Sequence, residues 1–240
     1  MNHPHRTIPP ILLTALLALN SCDPKDLQTI LGSGPTLSND EVVAGLKEAL
    51  RTGTERSVER AGVTDGFWQN ALIRVAFPPD AIAMRNTLMD LGIKKPVEDF
   101  ERTLNRAAEG AAKQAVPVFV DAITGMSIQD GFSILRGGEN AATEFLRART
   151  SETLRARFRP EVEKATSSVA LTSYWQPLAS AYNTATILTG GKAVEPDLDA
   201  YVTERAMDGL FTLLAEEEKK IRVDPLARTT ALLQKVFAAQ

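Results

Sequence analysis

The chain has 240 residues, of which 44% are hydrophobic and 24% are charged, and this composition is typical of a globular protein with one sizeable core. Its formal charge is −3, and it becomes −4 without residues 1–21, where Arg6 is the one charged residue. A mildly acidic chain lacks the basic surface by which proteins bind nucleic acids, so no nucleic-acid partner is expected.

The first residues have the pattern of an export signal. Arg6 precedes an apolar run over residues 8–19, which has the length of a signal-peptide hydrophobic region and is too short to span a bilayer as a helix. The run ends at Leu19, Asn20, Ser21 and Cys22, which resembles the bacterial lipobox, although Asn20 replaces the usual small or apolar residue. In a lipobox the cysteine is acylated and becomes the first residue of the mature protein.

Cysteine usage supports a lipid anchor. Cys22 is the one cysteine of the chain, so no intramolecular disulfide can form. Its position directly after the apolar run favours acylation over the alternative, a plain secreted protein with an unused thiol. We therefore expect a lipoprotein signal peptide over residues 1–21, a tether over residues 22–37 and one domain over residues 38–240.

The expected location is the bacterial cell envelope, with the domain facing the periplasm and the N-terminal lipid held in a membrane. Asp23 resembles the inner-membrane retention signal of enteric bacteria, but other lineages use different positions. The choice between inner and outer membrane therefore stays open.

Local patterns predict a succession of amphipathic helices. Ser38 and Glu41 have the spacing of a capping box, and an apolar stripe with four-residue spacing follows up to Gly62. A short helix is expected over residues 68–75 before two prolines, and another over residues 80–91.

Two prolines punctuate the next segment. Pro96 stands where a first helical turn accepts a proline, and the residues after it form an alanine-rich face up to Ala115. Pro117 is expected to kink or end that helix. An alanine-rich face allows a neighbouring helix to approach closely.

The middle of the chain predicts a helical corner over residues 127–164. Ser127 and Asp130 resemble a capping box, and the short helix that they begin ends at Gly137, which is expected to adopt the left-handed conformation. Gly138 then lets the chain turn, and Glu139 is expected to open a long arginine-rich helix.

The arginines of that long helix have two interpretations. Acidic residues stand three or four positions away from most of them, which is the spacing of surface ion pairs and predicts a solvated face. The alternative is a grip on an acidic ligand. The residues concerned are Arg147, Arg149, Arg155, Arg157 and Arg159.

The remaining sequence predicts three more helical segments: one around residues 174–182, one over residues 198–221 and one that begins at Asp224 and Pro225. The charged run EEEKKIR at the end of the second is interpreted as a solvated helix end. No alternating strand pattern occurs, so we predict an all-α, single, bundle-like domain of about seven to nine helices. Helical spacing predicts a core that includes Leu154, Phe158, Val202, Leu210 and Phe237.

Two long segments resemble a known family. They are DGFSILRGGENAATEFLRARTSETLRARFRPEVEKA and DLDAYVTERAMDGLFTLLAEEEKKIRVDPLARTTALLQKVF. Both are similar to the bacterial family described as domain of unknown function 4197, over roughly residues 38–238. The resemblance implies an exported, often lipoprotein-type, all-helical domain without an established activity. It offers no catalytic residues.

Residue inventory excludes several chemistries. Both histidines, His3 and His5, lie in the segment that export would remove, so the mature chain has no Ser-His-Asp site and no imidazole ligand for a metal. We predict no catalytic residue, no metal and no cofactor. A hydrolase with two carboxylates stays formally open, with Asp121, Asp130 and Glu139 as candidates, but helix caps and ion pairs are the favoured roles for them.

Two binding functions are left, and the sequence favours the first. A helical domain can hold a small apolar ligand or a lipid between its helices, or it can serve as an adaptor that binds another envelope protein. Aromatic side chains would line the cavity of a ligand binder, although ordinary core packing is the alternative. The candidates are Trp68, Phe119, Phe132, Tyr174, Trp175 and Tyr182.

The corner is the predicted binding surface in either case. Adjacent glycines remove side-chain cover and can expose backbone groups to a ligand or partner. The candidate residues are Asp130, Arg136, Gly137, Gly138 and Glu139.

Overall fold

The computed structural model describes residues 38–167 and 197–224, together with the single positions Trp175, Ser180, Asn183, Thr184, Ile187, Ala193 and Gln234. All of them lie within one compact unit, Leu37–Gln240. The predicted signal peptide and tether, Cys22, and the side chains of Tyr174, Tyr182 and Phe237 lie outside the described residues.

The described residues form α-helices joined by short turns, with a 3-10 turn at Pro79–Ala81. No strand occurs among them, so the predicted all-α class is confirmed. The predicted total of seven to nine helices also included segments beyond the described ranges. In chain order the helices are α1 (Asn39–Gly62), α2 (Ile82–Asp90), α3 (Lys94–Ala112), α4 (Ala115–Thr124), α5 (Ile128–Arg136), α6 (Ala141–Thr166) and α7 (Leu198–Val223).

Three long helices form the centre of the domain. α3, α6 and α7 pack against one another, and α1 packs on α7 and on α4. The predicted core residues Leu154, Phe158, Val202 and Leu210 are fully buried where these helices meet, which confirms the helical stripes. The alanines on the inner face of α3 are fully buried as well, so the alanine-rich face does contact neighbouring helices.

Both predicted capping boxes are confirmed. Glu41 N–H donates to Ser38 Oγ, and the Glu41 carboxylate accepts from Ser38 N–H in return. At the start of α5, Asp130 N–H donates to Ser127 Oγ at 3.1 Å, and Asp130 Oδ2 accepts from Ser127 N–H at 3.0 Å. These reciprocal bonds satisfy N–H groups that a helix start otherwise leaves unpaired.

The prediction of a helix over residues 68–75 is wrong. Residues 64–69 and 71–73 form turns, and side chains from α3 hold them. The Asn105 side chain accepts from Val75 N–H and donates to Val75 C=O, each at 2.8 Å, while Glu109 accepts from Phe67 N–H. Backbone groups that bond to side chains of another helix cannot also form a helical ladder.

Two helix boundaries also differ from the prediction. α3 ends at Ala112, before Pro117, which instead stands in the first turn of α4, where its missing N–H costs nothing. α6 begins at Ala141, two residues after Glu139.

Gly137 is extended, with φ −76° and ψ 174°, and is not left-handed. It is needed for space, because a Cβ there would lie 2.5 Å from Ala141 Cβ.

Candidate functional site

The corner between α5 and α6 is held by a carboxylate from a distant helix. Glu218 of α7 accepts from Ala142 N–H at 3.0 Å, and from Thr143 N–H and Thr143 Oγ1 at 2.8 Å each. A negative charge at a helix start is stabilised by the free N–H groups and by the helix dipole. Glu218 therefore caps α6, and the nominal cap residue Asn140 makes no side-chain cap bond.

Arg222 completes this arrangement at the end of α5. Its guanidinium donates to Glu218 Oε1 at 2.8 Å and to the carbonyl of Ile134 at 3.0 Å. One ion pair on α7 thus satisfies the end of one helix and the start of the next. At this structural junction the C=O group of Ile134 and the N–H groups of Ala142 and Thr143 are bonded within the domain.

This finding corrects the interpretation of the charged run in α7 as a solvated helix end. The side chains of Glu217 and Glu218 are only 4% and 7% exposed. Glu217 pairs with Arg60 of α1 at 3.0 Å, so the run contacts α1 on one side and the corner on the other. Lys219 and Lys220 of the same run are exposed.

The structure places Asp130 at the opposite end of α5 from the other four residues of the predicted binding surface. Arg136 lies over the Phe132 ring at 5.4 Å, and Glu139 reaches Lys219 at 3.9 Å. Asp130 stands in the first turn of α5, about 9 Å along the helix axis from Arg136. Gly138 is exposed, and a Cβ there would contact nothing.

Asp130 belongs to a different surface. Hydrogen bonds from the Ser127 hydroxyl and then from Ser127 N–H lower the pKa of the Asp130 carboxyl, and the charge of Arg149 adds to this. Asp130 Oδ1 lies 3.6 Å from Arg149 Nη2, on α6. This pair connects the start of α5 to an open cleft between α4 and α6.

The α4–α6 cleft has a volume of about 310 Å³ and runs between two helices that pack directly on each other. α4 contributes residues at the spacing of one helix face, and α6 contributes residues from two successive turns. Val118 and Thr150 are buried and form the floor, whereas the charged side chains lie at the rim. The lining residues are Val118, Asp121, Ala122, Gly125, Arg149, Thr150 and Thr153.

Three polar groups of the cleft are available to a ligand. Asp121 and Thr153 are exposed, and their side chains make no hydrogen bond or ion pair with the described residues. The Arg149 side chain is 59% exposed and has only the 3.6 Å contact with Asp130 as an ion pair. The Thr150 hydroxyl, by contrast, donates to Leu146 C=O at 2.7 Å.

A second cavity lies beside the corner and has a volume of about 30 Å³. A cavity of that volume holds about two water molecules, so a lipid or a drug-sized ligand does not fit. Its walls are almost entirely apolar and come from α1, the start of α6 and α7. They include Leu46, Leu50, Leu214 and Ile221, with Thr143 and Glu218 at one side.

The aromatic residues predicted to line a cavity have other surroundings. Phe119 packs edge-on against Phe211 at 5.8 Å, and Trp175 stacks on Phe100 at 5.9 Å, so both belong to the core. Trp68 is half-buried under a guanidinium, with Arg74 at 3.7 Å from its ring centroid.

Phe132 is half-buried beneath Arg136. No member of this aromatic set with a described side chain lines either of the two cavities.

The predicted solvated face of α6 with local ion pairs is confirmed, since Glu144 lies 3.9 Å from Arg147 and Glu163 lies 3.0 Å from Arg159. Three of the five arginines also form ion pairs with α7. Because the two helices are antiparallel, the pairs follow in reverse order along α7, and each joins residues that are far apart in sequence. Hydrogen bonds to Glu204 raise the pKa of Arg155, and bonds to Asp197 raise that of Arg159. The pairs are Arg147–Asp208, Arg155–Glu204 and Arg159–Asp197.

The three carboxylates considered for hydrolysis are spread over two surfaces. Asp121 lines the α4–α6 cleft, Asp130 caps α5, and Glu139 lies exposed beyond the other end of α5. Within the described ranges, no group of three or more His, Cys, Asp or Glu residues is placed to hold a metal ion. The same ranges contain no helix that is long and apolar enough to cross a membrane.

Sequence patterns missed the residues that matter most here. In the sequence Arg149 is one of several arginines of a long helix, and no local pattern singles out Thr150 or Thr153. Glu218 and Arg222 stand four positions apart, the spacing of a helical ion pair, which was the one available sign of their pairing.

The described part of the chain is therefore an all-helical domain with a junction of partly buried ion pairs and an open polar cleft between α4 and α6. The family model described as "Protein of unknown function (DUF4197)" matches residues 36–238, so the chain belongs to this family. No curated protein and no solved structure matches the chain.

Proposed function

We propose that this protein is a lipid-anchored envelope protein that works by non-catalytic binding, with the α4–α6 cleft as its binding site. The observation that carries the proposal is the cleft itself. Its volume of about 310 Å³ lies at the lower end of the range for small-molecule sites, and the second cavity is about ten times smaller.

The ligand that suits this cleft has polar groups. The walls expose Asp121, Arg149 and Thr153 above a small apolar floor. A purely apolar ligand or lipid tail would leave the charged groups desolvated without a partner, which is costly. We therefore favour a small polar or amphipathic ligand over the wholly apolar one that the aromatic residues suggested.

The membrane anchor rests on the N-terminal sequence. Acylation of Cys22 would leave a tether of about fifteen residues, which as a flexible coil reaches about 20 Å. Ligands and partners would then come from the periplasmic side of that membrane. In this proposal residues 38–240 form the single domain of seven to nine helices.

An adaptor is the second candidate, because large apolar side chains are exposed in one turn. Leu91 is 70% exposed and Ile93 is 40% exposed, and they flank Gly92 between α2 and α3. Neighbouring exposed apolar side chains of this kind offer contact surface to another protein.

A matched pair of variants tests the proposal. Thr153→Trp would fill the rim of the cleft, whereas Glu152→Trp places the same bulk at the neighbouring exposed position of α6, which does not line the cleft. Native mass spectrometry of each full chain, purified from its own envelope, measures any small molecule that stays bound. We expect a bound mass in the wild type and in Glu152→Trp, and its loss in Thr153→Trp.

Two results would contradict the cleft as the binding site: a bound mass that Thr153→Trp retains, or no bound mass in the wild type. An envelope protein that binds the Thr153→Trp variant but does not bind Leu91→Ser would support the adaptor instead.

A further inference from the structure

The α4–α6 cleft presents two opposite charges from its two walls. Asp121 comes from α4 and Arg149 from α6, and both side chains are exposed within the same cleft. No ion pair joins them, so their charged atoms lie more than 4 Å apart. The two opposite charges therefore line the same cleft without neutralising each other.

The Arg149 side chain is held by its neighbours, but its hydrogen-bond donors are available to a ligand. The Asp130 carboxylate holds one of its nitrogens at 3.6 Å, a distance too long for a hydrogen bond, and the guanidinium lies 5.4 Å from the Phe145 ring centroid. Asp130 Oδ2 is already used by Ser127. A guanidinium that is positioned in this way has donors left for a carboxylate, which it binds through two parallel hydrogen bonds.

The floor of the cleft limits the rest of the ligand. Val118 and Ala122 offer small apolar surfaces, and Gly125 has no side chain. Thr153 adds a hydroxyl at the rim that can donate or accept one hydrogen bond. The space suits a short uncharged side chain.

We infer that the cleft binds a small zwitterion of the free amino acid type, with its carboxylate on Arg149 and its ammonium group on Asp121. This inference rests on the proposed function, because it names the ligand class of the same cleft. A zwitterion satisfies both walls at once, whereas a singly charged ligand leaves the opposite wall desolvated and unpaired.

The test uses L-valine and its two singly charged analogues with the full mature chain. Isobutylamine lacks the carboxylate, and 3-methylbutanoate lacks the ammonium group, while both keep the same branched side chain. Amide chemical shifts of Gly125 and Thr150 report binding at the cleft by nuclear magnetic resonance. We expect saturable shifts with valine and binding at least about tenfold weaker with each analogue, a factor that corresponds to about 1.4 kcal/mol.

Single substitutions test the contribution of each charged residue to valine binding separately. Arg149→Gln and Asp121→Asn are each expected to weaken valine binding at least about tenfold. Arg155→Gln is the matched control, because its guanidinium pairs with Glu204 on the α7 side of α6, and it should leave the affinity unchanged. The analogue series on the wild-type chain does not depend on any variant folding correctly.

Three results would overturn the inference: analogues that bind as tightly as valine, an Arg149→Gln variant with unchanged affinity, or no saturable shift with L-valine, L-alanine or L-leucine. The mass-spectrometric comparison of Thr153→Trp distinguishes a wrong ligand class from a wrong site. If amino acids fail but that variant still loses a native bound mass, the ligand class is wrong and the cleft stays the binding site. If the bound mass is retained, the proposed function fails as well.

Discussion

Glu218 and Arg222 stand one turn apart on α7, with Glu218 Oε1 2.8 Å from Arg222 Nη2, and the pair joins two other helices. The carboxylate accepts hydrogen bonds from N–H groups in the first turn of α6. The guanidinium donates a hydrogen bond to the C=O group of Ile134, in the last turn of α5. The corner between α5 and α6 is therefore fixed by residues that stand 75 to 88 positions later in the chain.

Replacing Glu218 with alanine should strongly destabilise the domain. Glu218→Ala would leave two N–H groups of α6 and the charge of Arg222 without their acceptor in a buried setting. Removing one partner of a buried ion pair typically costs about 3 kcal/mol or more. Urea unfolding measures the free energy of unfolding directly.

Glu139→Ala is the control for this prediction. It removes another carboxylate near the corner, but Glu139 is exposed and lies 3.9 Å from Lys219, so its loss should cost less than about 0.5 kcal/mol. A loss below about 1 kcal/mol for Glu218→Ala would show that the junction does not hold the corner.

Alanine substitutions at two glycines should change the stability of the domain in opposite directions. At Gly209 a Cβ would lie 2.6 Å from Phe67 Cε1 and 3.1 Å from Ile73 Cβ, so Gly209→Ala should destabilise the fold by about 1–3 kcal/mol through overpacking. At Gly110 a Cβ meets nothing within 4 Å, and Gly110→Ala should stabilise α3 by about 0.5 kcal/mol. Thermal unfolding of both variants checks the prediction, and changes of the same sign would contradict it.

The contribution of Asp130 to stability should depend on pH. Its folded-state pKa is below the ordinary 3.8, because Ser127 hydrogen bonds favour the carboxylate. A lowered folded-state pKa adds stability that is present above the unfolded-state pKa and is lost as the pH falls through the folded-state pKa. The difference in free energy of unfolding between the wild type and Asp130→Asn should therefore shrink as the pH falls below 3.8.

Asp121→Asn is the reference for this experiment, because the Asp121 side chain makes no hydrogen bond or ion pair with the described residues. It should change stability little at neutral pH. If the difference in free energy of unfolding between the wild type and Asp130→Asn stays constant as the pH falls, the carboxylate does not cap α5.

Local signals explain which parts of the fold were predictable. The capping boxes at Ser38 and Ser127 involve residues three positions apart, and the buried stripe through Leu154 and Phe158 repeats every four. Such patterns lie within one helix, so the sequence displays them directly. The all-α class follows from them.

The junction and the cleft depend on packing between distant segments. A charged run looks solvated by composition, and only the packing of α7 against α1 and α6 buries Glu217 and Glu218. Helical spacing also does not separate an aromatic core residue from a cavity-lining one, as Phe119 shows. The cleft arises from the relative placement of α4 and α6, which no local pattern encodes.

Lipid attachment at Cys22 has its own test. Mass spectrometry of protein from the membrane fraction should find the mature chain beginning at an acylated Cys22. In Cys22→Ser the thioether bond to the lipid cannot form, so no lipid-modified N-terminus should be found. A peptide that spans Ser21 and an unmodified Cys22 in membrane-fraction protein would contradict the anchor.

The most direct test of cleft binding is a crystal structure of the protein purified from its own envelope without added ligand. We predict electron density for a small molecule in the α4–α6 cleft, with one polar group within hydrogen-bond distance of the Arg149 guanidinium and another near the Asp121 carboxylate. A cleft without such density, with a bound molecule on another surface of the domain, would contradict cleft binding.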